Sequence, residues 1–313
     1  MRSPGSLGIA NYCDRLASAL DEVGFDYVAA DGPQKDGRSH FHLGNSSRRC
    51  IGQIAHTRRP YVLTLHDVIP RDRRLMPAYR LAVWPLTVRR AGALVVHSQF
   101  AARMVMQLCG VSASRVRVIP LPATIPTLAE RSVARRALGW EGDERIAVLP
   151  GVLKSAKLVG EAISGASGPG APFRLVLAGR VLDQGLAEQA QRAGVSVLAS
   201  PSHADYERAI VAADAVIVLR DGSVGETNGP LLDALGAGRA VVATPTGSIP
   251  EVAGRAAMYV EPDADSIRSA LLRLADQDTR TEHEQEARRV ASRLSPTSIA
   301  RAHVALFEEV FGV

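Results

Sequence analysis

The stretch SVGETNGPLLDALGAGRAVVA (223–243) decides how the fold of this chain is interpreted. It follows DAVIVLR (214–220), an apolar run with the length of one strand in a sheet that is covered on both faces. Glycines then loosen the backbone, and Pro230 suits the first turn of a helix that ends near Gly236. The next apolar run, AVVAT (240–244), follows at once. The stretch therefore predicts a strand, a small-residue loop, a helix and a second strand.

The predicted loop has the chemistry of a site for phosphate and hydroxyl groups. Thr227, Asn228 and Gly229 would lie at a helix N-terminus beyond the carboxyl end of a strand, where free N–H groups attract phosphate and parallel sheets bind ligands. Glu226, before the helix, could accept hydrogen bonds from sugar hydroxyls, and Asp233, on its second turn, from a ribose. The alternative is that Glu226 caps the helix and Asp233 lies on a solvated face.

Strand-like apolar runs alternate with helical patterns along the chain, which is typical of parallel sheets wrapped by helices. The front half holds FDYVAA (25–30), SHFHLG (39–44), YVLTLHD (61–67), ALVVHS (93–98) and VRVIP (116–120). The back half holds RIAVLPG (145–151), FRLVLAG (173–179), VSVLAS (195–200), DAVIVLR (214–220), AVVAT (240–244) and AAMYVE (256–261). Between them, LPATIPTLAERS (121–132) is interpreted as a linker. Two doubly wound domains are predicted, with a ligand cleft between their carboxyl edges.

Length and composition indicate a soluble two-domain protein. The chain has 313 residues, of which 46% are hydrophobic and 22% charged. No run reaches the roughly 18 apolar residues of a membrane span, and the N-terminus lacks the apolar core of a signal peptide, so a cytoplasmic location is expected. The three cysteines are far apart and odd in number, which argues against disulfides. No carboxylate pair or histidine cluster has ligand spacing, so neither a metal nor another cofactor is expected.

Positive charge is concentrated in the front half of the chain. Residues 1–125 hold 17 Lys and Arg against 8 Asp and Glu. Many of these arginines flank an amphipathic stretch that carries Leu75, Tyr79, Leu81 and Trp84. The stretch could contact an anionic membrane face or an anionic acceptor, or it could be a solvated helix that covers its own core. Aromatic residues are only 4% and no recognition motif is present, so nucleic acid is not an expected partner.

The order and spacing of the motifs resemble those of the retaining glycosyltransferases of family 4, which have the α/β GT-B fold of two Rossmann-like domains. The resemblance covers nearly the whole chain and is carried by SLGIANYCDRLASAL (6–20), VLTLHDV (62–68), ALVVHSQFAARMV (93–105), VRVIPLP (116–122), LPGVLKSAK (149–157), RLVLAGR (174–180), SPSHADYERAIVAADAVIVL (200–219) and GETNGPLLDALGAGRAVVAT (225–244). It implies an acceptor-side domain at 1–122, a donor domain at 123–295 and a C-terminal helix at 296–313 that packs back towards the N-terminal domain. The implied activity is that of a hexosyltransferase-type enzyme, which moves a sugar from a nucleotide-diphosphate-sugar to a glycan, lipid-linked or small-molecule acceptor with retention at the anomeric carbon.

The resemblance also implies roles for individual residues. Glu226 would approach the donor sugar, and His66 would bind donor or acceptor hydroxyls. Lys157 would stabilise the leaving diphosphate, although Lys154 could take that role. Asn45 either caps the helix that follows it or contacts the acceptor. The remaining donor-binding residues implied by the resemblance are Gly5, Gly8, Arg180, Thr227, Asn228, Gly229 and Asp233.

The chain departs from the family pattern at three places. Its two acids are seven residues apart, not eight, and the second is Asp233 where glutamate is common. Val152 stands where an arginine often follows the donor-loop glycine. The chain starts at the glycine loop, so the first strand is expected to be encoded upstream or the front sheet to be abnormal. These departures keep two alternatives open, namely a non-catalytic GT-B partner of a glycan-assembly enzyme and a nucleotide-sugar epimerase.

Overall fold

The computed structural model describes residues 7–27, 38–44, 48–57, 60–123, 130–140 and 142–312. They form two compact units. The N-terminal unit comprises Met1–Pro122, Val224–Thr227 and Leu294–Val313, and the C-terminal unit comprises Ala123–Ser223 and Asn228–Arg293. Among the described helices, none has both the length and the apolar character needed to cross a membrane.

The N-terminal unit contains a four-stranded parallel sheet in the order β1-β2-β3-β4. The strands are β1 (Ser39–Leu43), β2 (Tyr61–Leu65), β3 (Ala93–Val96) and β4 (Val116–Val118). The longer helices of this unit are Leu7–Glu22, Arg48–His56, Gln99–Cys109 and the C-terminal helix Pro296–Phe311. Between β2 and β3 the chain forms short helical turns at Arg73–Leu75, Met76–Ala78, Tyr79–Val83, Trp84–Leu86 and Val88–Arg90.

The sheet of the N-terminal unit has an apolar core on each face. Successive strand residues point to opposite faces, so Leu63 and Leu94 lie in one buried cluster while Val62 and Val95 lie in the other. The second cluster includes Leu16 of the first helix and residues of the C-terminal helix. The C-terminal helix is therefore part of the N-terminal unit, although it comes last in the chain.

The C-terminal unit contains a six-stranded parallel sheet in the order β10-β9-β8-β5-β6-β7. Its strands are β5 (Ile146–Pro150), β6 (Arg174–Gly179), β7 (Ser196–Ala199), β8 (Ala215–Val218), β9 (Ala240–Ala243) and β10 (Ala257–Tyr259). Its helices are Arg131–Ala137, Val159–Ala166, Gln184–Arg192, His203–Ala212, Gly229–Gly236, Ile249–Ala253, Ala264–Ala275 and Gln277–Arg293, with 3₁₀ turns at Ser155–Lys157 and Gly254–Ala256. Because β5 pairs with β6 on one side and β8 on the other, the strand order reverses at β5, and parallel sheets bind ligands beyond the carboxyl ends of strands at such a point.

The two parallel sheets confirm the predicted α/β class, and every described strand lies within a predicted apolar run. Two segments differ from their prediction. Phe25, Asp26 and Tyr27 do not form a strand, while residues 28–30 lie outside the described part. Half of the predicted linker, 124–129, also lies outside it, and Arg131 already begins a helix, with its side chain in ion pairs with Asp214 and Glu284.

Candidate functional site

Lys157 is buried at the carboxyl edge of the C-terminal sheet. Its side chain follows β5, is only 9% exposed, and donates from Nζ to the carbonyl oxygen of Pro150 at 3.3 Å. Two glycines make room for it. A Cβ on Gly151, which has φ +97°, would lie 2.6 Å from Nζ, and a Cβ on Gly179 would lie 1.7 Å from the carbonyl oxygen of Gly151. The glycines therefore allow the lysine to lie directly over the backbone at the end of β5.

The surroundings of Lys157 are basic. Burial, followed by the positive charges of Arg220 and Lys154, lowers the pKa of Lys157 to about 7. Within the described ranges, no carboxylate forms an ion pair with Lys157. A buried amine without a carboxylate is costly, and an anion bound beside it would offset that cost. Arg220, which follows β8, is a basic group of this edge that sequence reasoning did not assign to the site.

The backbone that carries Lys157 is strained. Leu158 adopts φ +51° and ψ +40°, a left-handed conformation that only glycine takes easily, at the junction between the Ser155–Lys157 turn and the Val159–Ala166 helix. Its N–H donates to the carbonyl oxygen of Ser155 at 2.7 Å. The Asp221 N–H donates to the carbonyl oxygen of Ala156 at 3.2 Å and so joins this turn to the loop after β8. Such strain persists where the surrounding structure fixes it, as at ligand-binding sites.

The Gly229–Gly236 helix begins next to this turn. Asn228 caps the helix, since its Oδ1 accepts from the Leu231 N–H at 3.2 Å and its side chain is buried. Gly229 is exposed, and a Cβ there would meet no atom within 4 Å. A Cβ on Gly151 would contact the Pro230 ring at 3.4 Å. The structure thus brings the glycine turn after β5, Lys157 and an open helix start together at one edge of the sheet.

Asp233 has a specific partner within the same unit. The Tyr206 hydroxyl, from the His203–Ala212 helix, donates to Asp233 Oδ2 at 3.1 Å. Burial, and then the charge and hydrogen bond of Asp233, raise the pKa of Tyr206 well above its ordinary value, so it stays a donor. Asp233 is therefore held in place, unlike an acid on a bare solvated face. The sequence analysis missed Tyr206, whose only signal was its position in the segment 200–219 that contributes to the family resemblance.

The other basic residues predicted for this edge are more open. Lys154 is half-buried and precedes the turn that carries Lys157. Arg180 is exposed at the end of β6, and its carbonyl oxygen accepts from the Leu153 N–H at 2.9 Å. The described structure does not place three of the predicted site residues at this edge. Gly5 and Asn45 lie outside the described residues, and Gly8 lies in the first turn of the Leu7–Glu22 helix.

The loop with the first acid clusters with the N-terminal unit, although the sequence pattern assigns it to the donor domain. The N–H groups of Val68 and Ile69 donate to the carbonyl oxygen of Val224 at 2.9 and 3.2 Å. A Cβ on Gly225, which has φ +92°, would lie 2.5 Å from Val68 Cγ2. These contacts fix the loop to the segment after β2. Glu226 and Asp233 consequently belong to different units.

Glu226 is oriented by its own loop. Its Oε2 accepts from the Val224 N–H at 2.7 Å, and its charge acts on Arg71, whose guanidinium donates to Asp67 at 2.8 Å. Thr227 follows it, and the buried Oγ1 of Thr227 has no hydrogen-bond partner among the described residues. The acid therefore accepts a backbone hydrogen bond without capping the helix that follows.

His66 lies within a row of buried histidines at the carboxyl ends of β1, β2 and β3. His66 Nε2 is 3.3 Å from His42 Nδ1, and His66 Nδ1 is 3.3 Å from His97 Nε2. His97 Nδ1 is 2.9 Å from the carbonyl oxygen of Ile119. Both ring nitrogens of His66 thus face other histidines. The binding of a donor or acceptor hydroxyl by the His66 ring stays a prediction.

These histidines are neutral, and a tyrosine packs over them. Burial is the main cause that lowers the pKa of His42 and His66 well below the ordinary value and that of His97 to about 4. The Tyr12 ring meets the three imidazoles edge-on, with centroids 5.1–5.5 Å away, and its hydroxyl is 3.1 Å from His303 Nε2. No group of His, Cys, Asp or Glu suited to a metal occurs in the described ranges. Sequence reasoning missed the row, although His42 and His97 also end predicted strands.

The amphipathic stretch between β2 and β3 exposes leucines beside arginines. Leu75, Leu81 and Leu86 are 42%, 82% and 43% exposed. Arg73, Arg74 and Arg80 are exposed in the same turns, whereas Tyr79 and Trp84 are buried in the core of the unit. The stretch therefore covers its own core with one face and presents a basic, apolar surface with the other.

Comparison with known proteins gives two family matches. The model described as Glycosyltransferase Family 4 matches residues 7–123, and the model described as Glycosyl transferases group 1 matches residues 149–277. Together they cover most of both units. No curated protein sequence gives a significant match.

Solved structures of similar fold include several glycosyltransferases. Anabaena HepE in complex with UDP is 19% identical over 95% of this chain and 82% of its own, with a TM-score of 0.72. Sucrose-phosphate synthase from Thermosynechococcus elongatus is 17% identical over 88% of this chain and 74% of its own, with a TM-score of 0.73. A glycosyltransferase from Rickettsia africae is 13% identical over 99% of this chain and 84% of its own, with a TM-score of 0.66. At these identities the likeness shows the GT-B fold.

Proposed function

Because the chain belongs to the glycosyltransferases of family 4, we propose that it is a retaining hexosyltransferase that uses a nucleotide-diphosphate-sugar as donor. Lys157 carries the proposal, since it is a buried amine without a carboxylate partner in the described ranges, beside a glycine turn and an open helix start. This combination suits a diphosphate. That the HepE structures were obtained with UDP and with UDP-glucose supports this donor class as the first to test.

In the proposed reaction Lys157 acts on the leaving group. As the glycosidic bond breaks, negative charge grows on the nucleotide diphosphate, and an ammonium placed beside it stabilises the transition state more than the ground state. The pKa of Lys157 is about 7 in the ligand-free site. A bound diphosphate raises that pKa, so the lysine takes up a proton when the donor binds. Arg220 and Lys154 add positive charge at the same edge.

The two acids have separate proposed roles. Asp233, with Oδ2 already held by Tyr206, accepts a hydrogen bond from a ribose hydroxyl. Glu226, whose Oε2 accepts from the Val224 N–H, accepts hydrogen bonds from hydroxyls of the donor sugar. Neither acid is proposed as a covalent nucleophile. The leaving group departs on the face that the acceptor enters, which accounts for retention.

The test is a titration of the purified protein with UDP-, GDP- and ADP-sugars, followed by transfer assays with the donor that binds. We expect saturable binding of one donor class and a product whose anomeric configuration equals that of the donor. Glu226→Ala should lose transfer and keep the fold, whereas Glu188→Ala, an exposed helix position, should change neither. Absence of binding by every donor, or full transfer by Glu226→Ala, would overturn the proposal. Product analysis without acceptor separates transfer from epimerisation, which no observation favours.

We further propose that the exposed stretch between β2 and β3 contacts an anionic membrane surface, where a lipid-linked acceptor would lie. Exposed leucines beside arginines suit such a surface. Vesicles that contain phosphatidylglycerol should bind the protein more strongly than vesicles of phosphatidylcholine alone. Leu81→Ser should weaken that binding, while Leu272→Ser, at a leucine of the C-terminal unit that is 53% exposed, should not. Equal binding by both variants would contradict the contact.

A further inference from the structure

We propose that His97 is a positioning residue. The hydrogen bond from its Nδ1 to the carbonyl group of Ile119 fixes which ring nitrogens of His66 and His42 carry protons, so that all hydrogen bonds of the histidine row run in the same direction. The row consists of His42, His66 and His97, which end β1, β2 and β3 of the N-terminal unit. Only the effect on sugar transfer rests on the proposed function. The arrangement of ring protons follows from the geometry alone.

The direction is set at the Ile119 end. A carbonyl oxygen can only accept, so His97 Nδ1, at 2.9 Å, must carry a proton. In a neutral ring the other nitrogen, Nε2, is then an acceptor. His66 Nδ1 lies 3.3 Å from it and therefore donates. The same reasoning makes His66 Nε2 an acceptor and His42 Nδ1, also at 3.3 Å, its donor.

The surroundings keep the row neutral. His42, His66 and His97 are 1%, 9% and 3% exposed. The neighbouring polar groups are the Tyr12 hydroxyl, His40 and His303. Each further positive charge in so small a volume is opposed by burial and by the other imidazoles. All three rings are thus expected in the Nδ1–H form.

The open end of the row is the Nε2 atom of His42. It is buried, and no described residue donates to it. The direction of the row makes this atom an acceptor, so it can bind an O–H or N–H donor and not an ionised phosphate or carboxylate. Without His97 the row loses its fixed end, and His66 and His42 are free to take the opposite tautomer.

The test is the two-bond proton–nitrogen spectrum of protein labelled with ¹⁵N-histidine at pH 7.5, which distinguishes Nδ1–H, Nε2–H and charged rings. The exposed His56 and His203 provide reference signals in the same spectrum. We expect His42, His66 and His97 in the Nδ1–H form. Wild-type His66 as an Nε2–H or charged ring would overturn the proposal.

Two substitutions at position 97 separate positioning from packing. His97→Asn places its amide near Nδ1, so it keeps the bond to Ile119 but no longer reaches His66, which should change to the Nε2–H form. His97→Gln places its amide near Nε2, so it can still accept from His66 and should keep the Nδ1–H form. His66 left unchanged by His97→Asn would overturn the proposal. Should His97→Asn fail to fold, the wild-type spectrum decides.

Activity provides a second readout. If the sugar transfer proposed above is found, His97→Gln should keep more of kcat/KM than His97→Asn, because only glutamine preserves the ring protons of His66 and His42. If no donor supports transfer, the spectra still decide the inference. Its failure and the failure of the proposed function can therefore be told apart.

Discussion

The carboxyl edges of the two sheets bury polar groups in opposite ways. In the N-terminal unit, His42, His66 and His97 are neutral and bond to one another and to a backbone carbonyl. In the C-terminal unit, Lys157 is buried near the charge of Arg220, and within the described ranges its Nζ donates one hydrogen bond, to the carbonyl oxygen of Pro150. The imidazoles of the first edge bond to one another, whereas the second edge buries an amine that has no carboxylate partner among the described residues. The comparison indicates which edge is built for a charged ligand.

The largest expected effect comes from removing the unpaired charge. Lys157→Met keeps the length of the side chain but should lower kcat/KM by about a thousandfold, because a positioned cation at the leaving group contributes roughly 3–4 kcal/mol. The same substitution should raise the free energy of unfolding, because methionine has no charge to desolvate. Steady-state kinetics and urea unfolding measure the two effects on one variant.

Lys154→Met is the matched control for that variant. Lys154 belongs to the same loop but is only half-buried, so its loss should lower activity less and leave stability nearly unchanged. A Lys157→Met protein that is both active and less stable would show that the lysine is a structural group. The edge of the C-terminal sheet would then no longer differ from the histidine edge as a site for a charged ligand.

The second expected effect is a change of stability with pH, which should differ between the two units. The pKa of His97 is about 4 and that of His303 about 3 in the folded protein, against an ordinary value of 6.5. Between these values the unfolded chain binds the protons and the folded chain does not, so stability is lost as pH falls from 6.5. A shift of the size seen for His97 corresponds to about 2 kcal/mol at pH 5. Tyr12, His40, His42 and His66 face the same space, and among the described residues no carboxylate is a cause of the pKa shifts of His97 and His303.

In the C-terminal unit, the stability change caused by Lys157 occurs at higher pH. Its folded pKa of about 7 lies below the ordinary value of 10.5, so its destabilising effect is complete below pH 7 and fades as pH rises towards 10. Hydrogen exchange followed by mass spectrometry, at pH 5, 7 and 9, reports each unit separately. We expect the N-terminal helices and strands to lose protection at pH 5 and the β5 region to gain it at pH 9. Equal responses in both units would contradict the assignment.

Much of the fold was predictable from the sequence because strand-length apolar runs need little tertiary information. The runs 61–67 and 145–151 contain β2 and β5, and the order of the motifs indicated the family. The Asn228 cap and the Pro230 helix start also follow from local rules. These features depend on residues that are neighbours in the chain.

What the sequence did not reveal depends on contacts between distant segments. The attachment of Val224–Thr227 to the N-terminal unit rests on backbone hydrogen bonds from Val68 and Ile69, which have no side-chain signature. The histidine row needs the parallel register that sets three strand ends side by side. The left-handed conformation of Leu158 could not be predicted either, since glycine is the residue expected in that conformation.

The third effect is a proton that accompanies donor binding. Above pH 7 Lys157 is largely neutral before binding and charged afterwards, so donor affinity should fall by up to about tenfold per pH unit. A nucleotide-sugar suits the measurement because its diphosphate does not titrate near pH 8. Calorimetry at pH 8 in buffers of different ionisation enthalpy should reveal uptake of about one proton. Lys157→Met should abolish the uptake, and uptake that persists in this variant would assign the proton to another group.

The smallest effect concerns how Asp233 is held. Tyr206→Phe removes one hydrogen bond to Oδ2. Bonds to charged groups contribute about 1.5–3 kcal/mol, and the loss of the lower figure should raise KM for the donor roughly tenfold. The value of kcat should stay close to wild type, because the ribose is bound equally in the ground and transition states. Tyr259→Phe is the matched control, since its hydroxyl also bonds within the C-terminal unit, to Gly254, but on an exposed surface. If Tyr206→Phe lowered kcat and left KM unchanged, Asp233 would act on the reacting bond. Its role would then not be confined to binding the nucleotide, and Lys157 would not be the one group of this edge that acts on the leaving group.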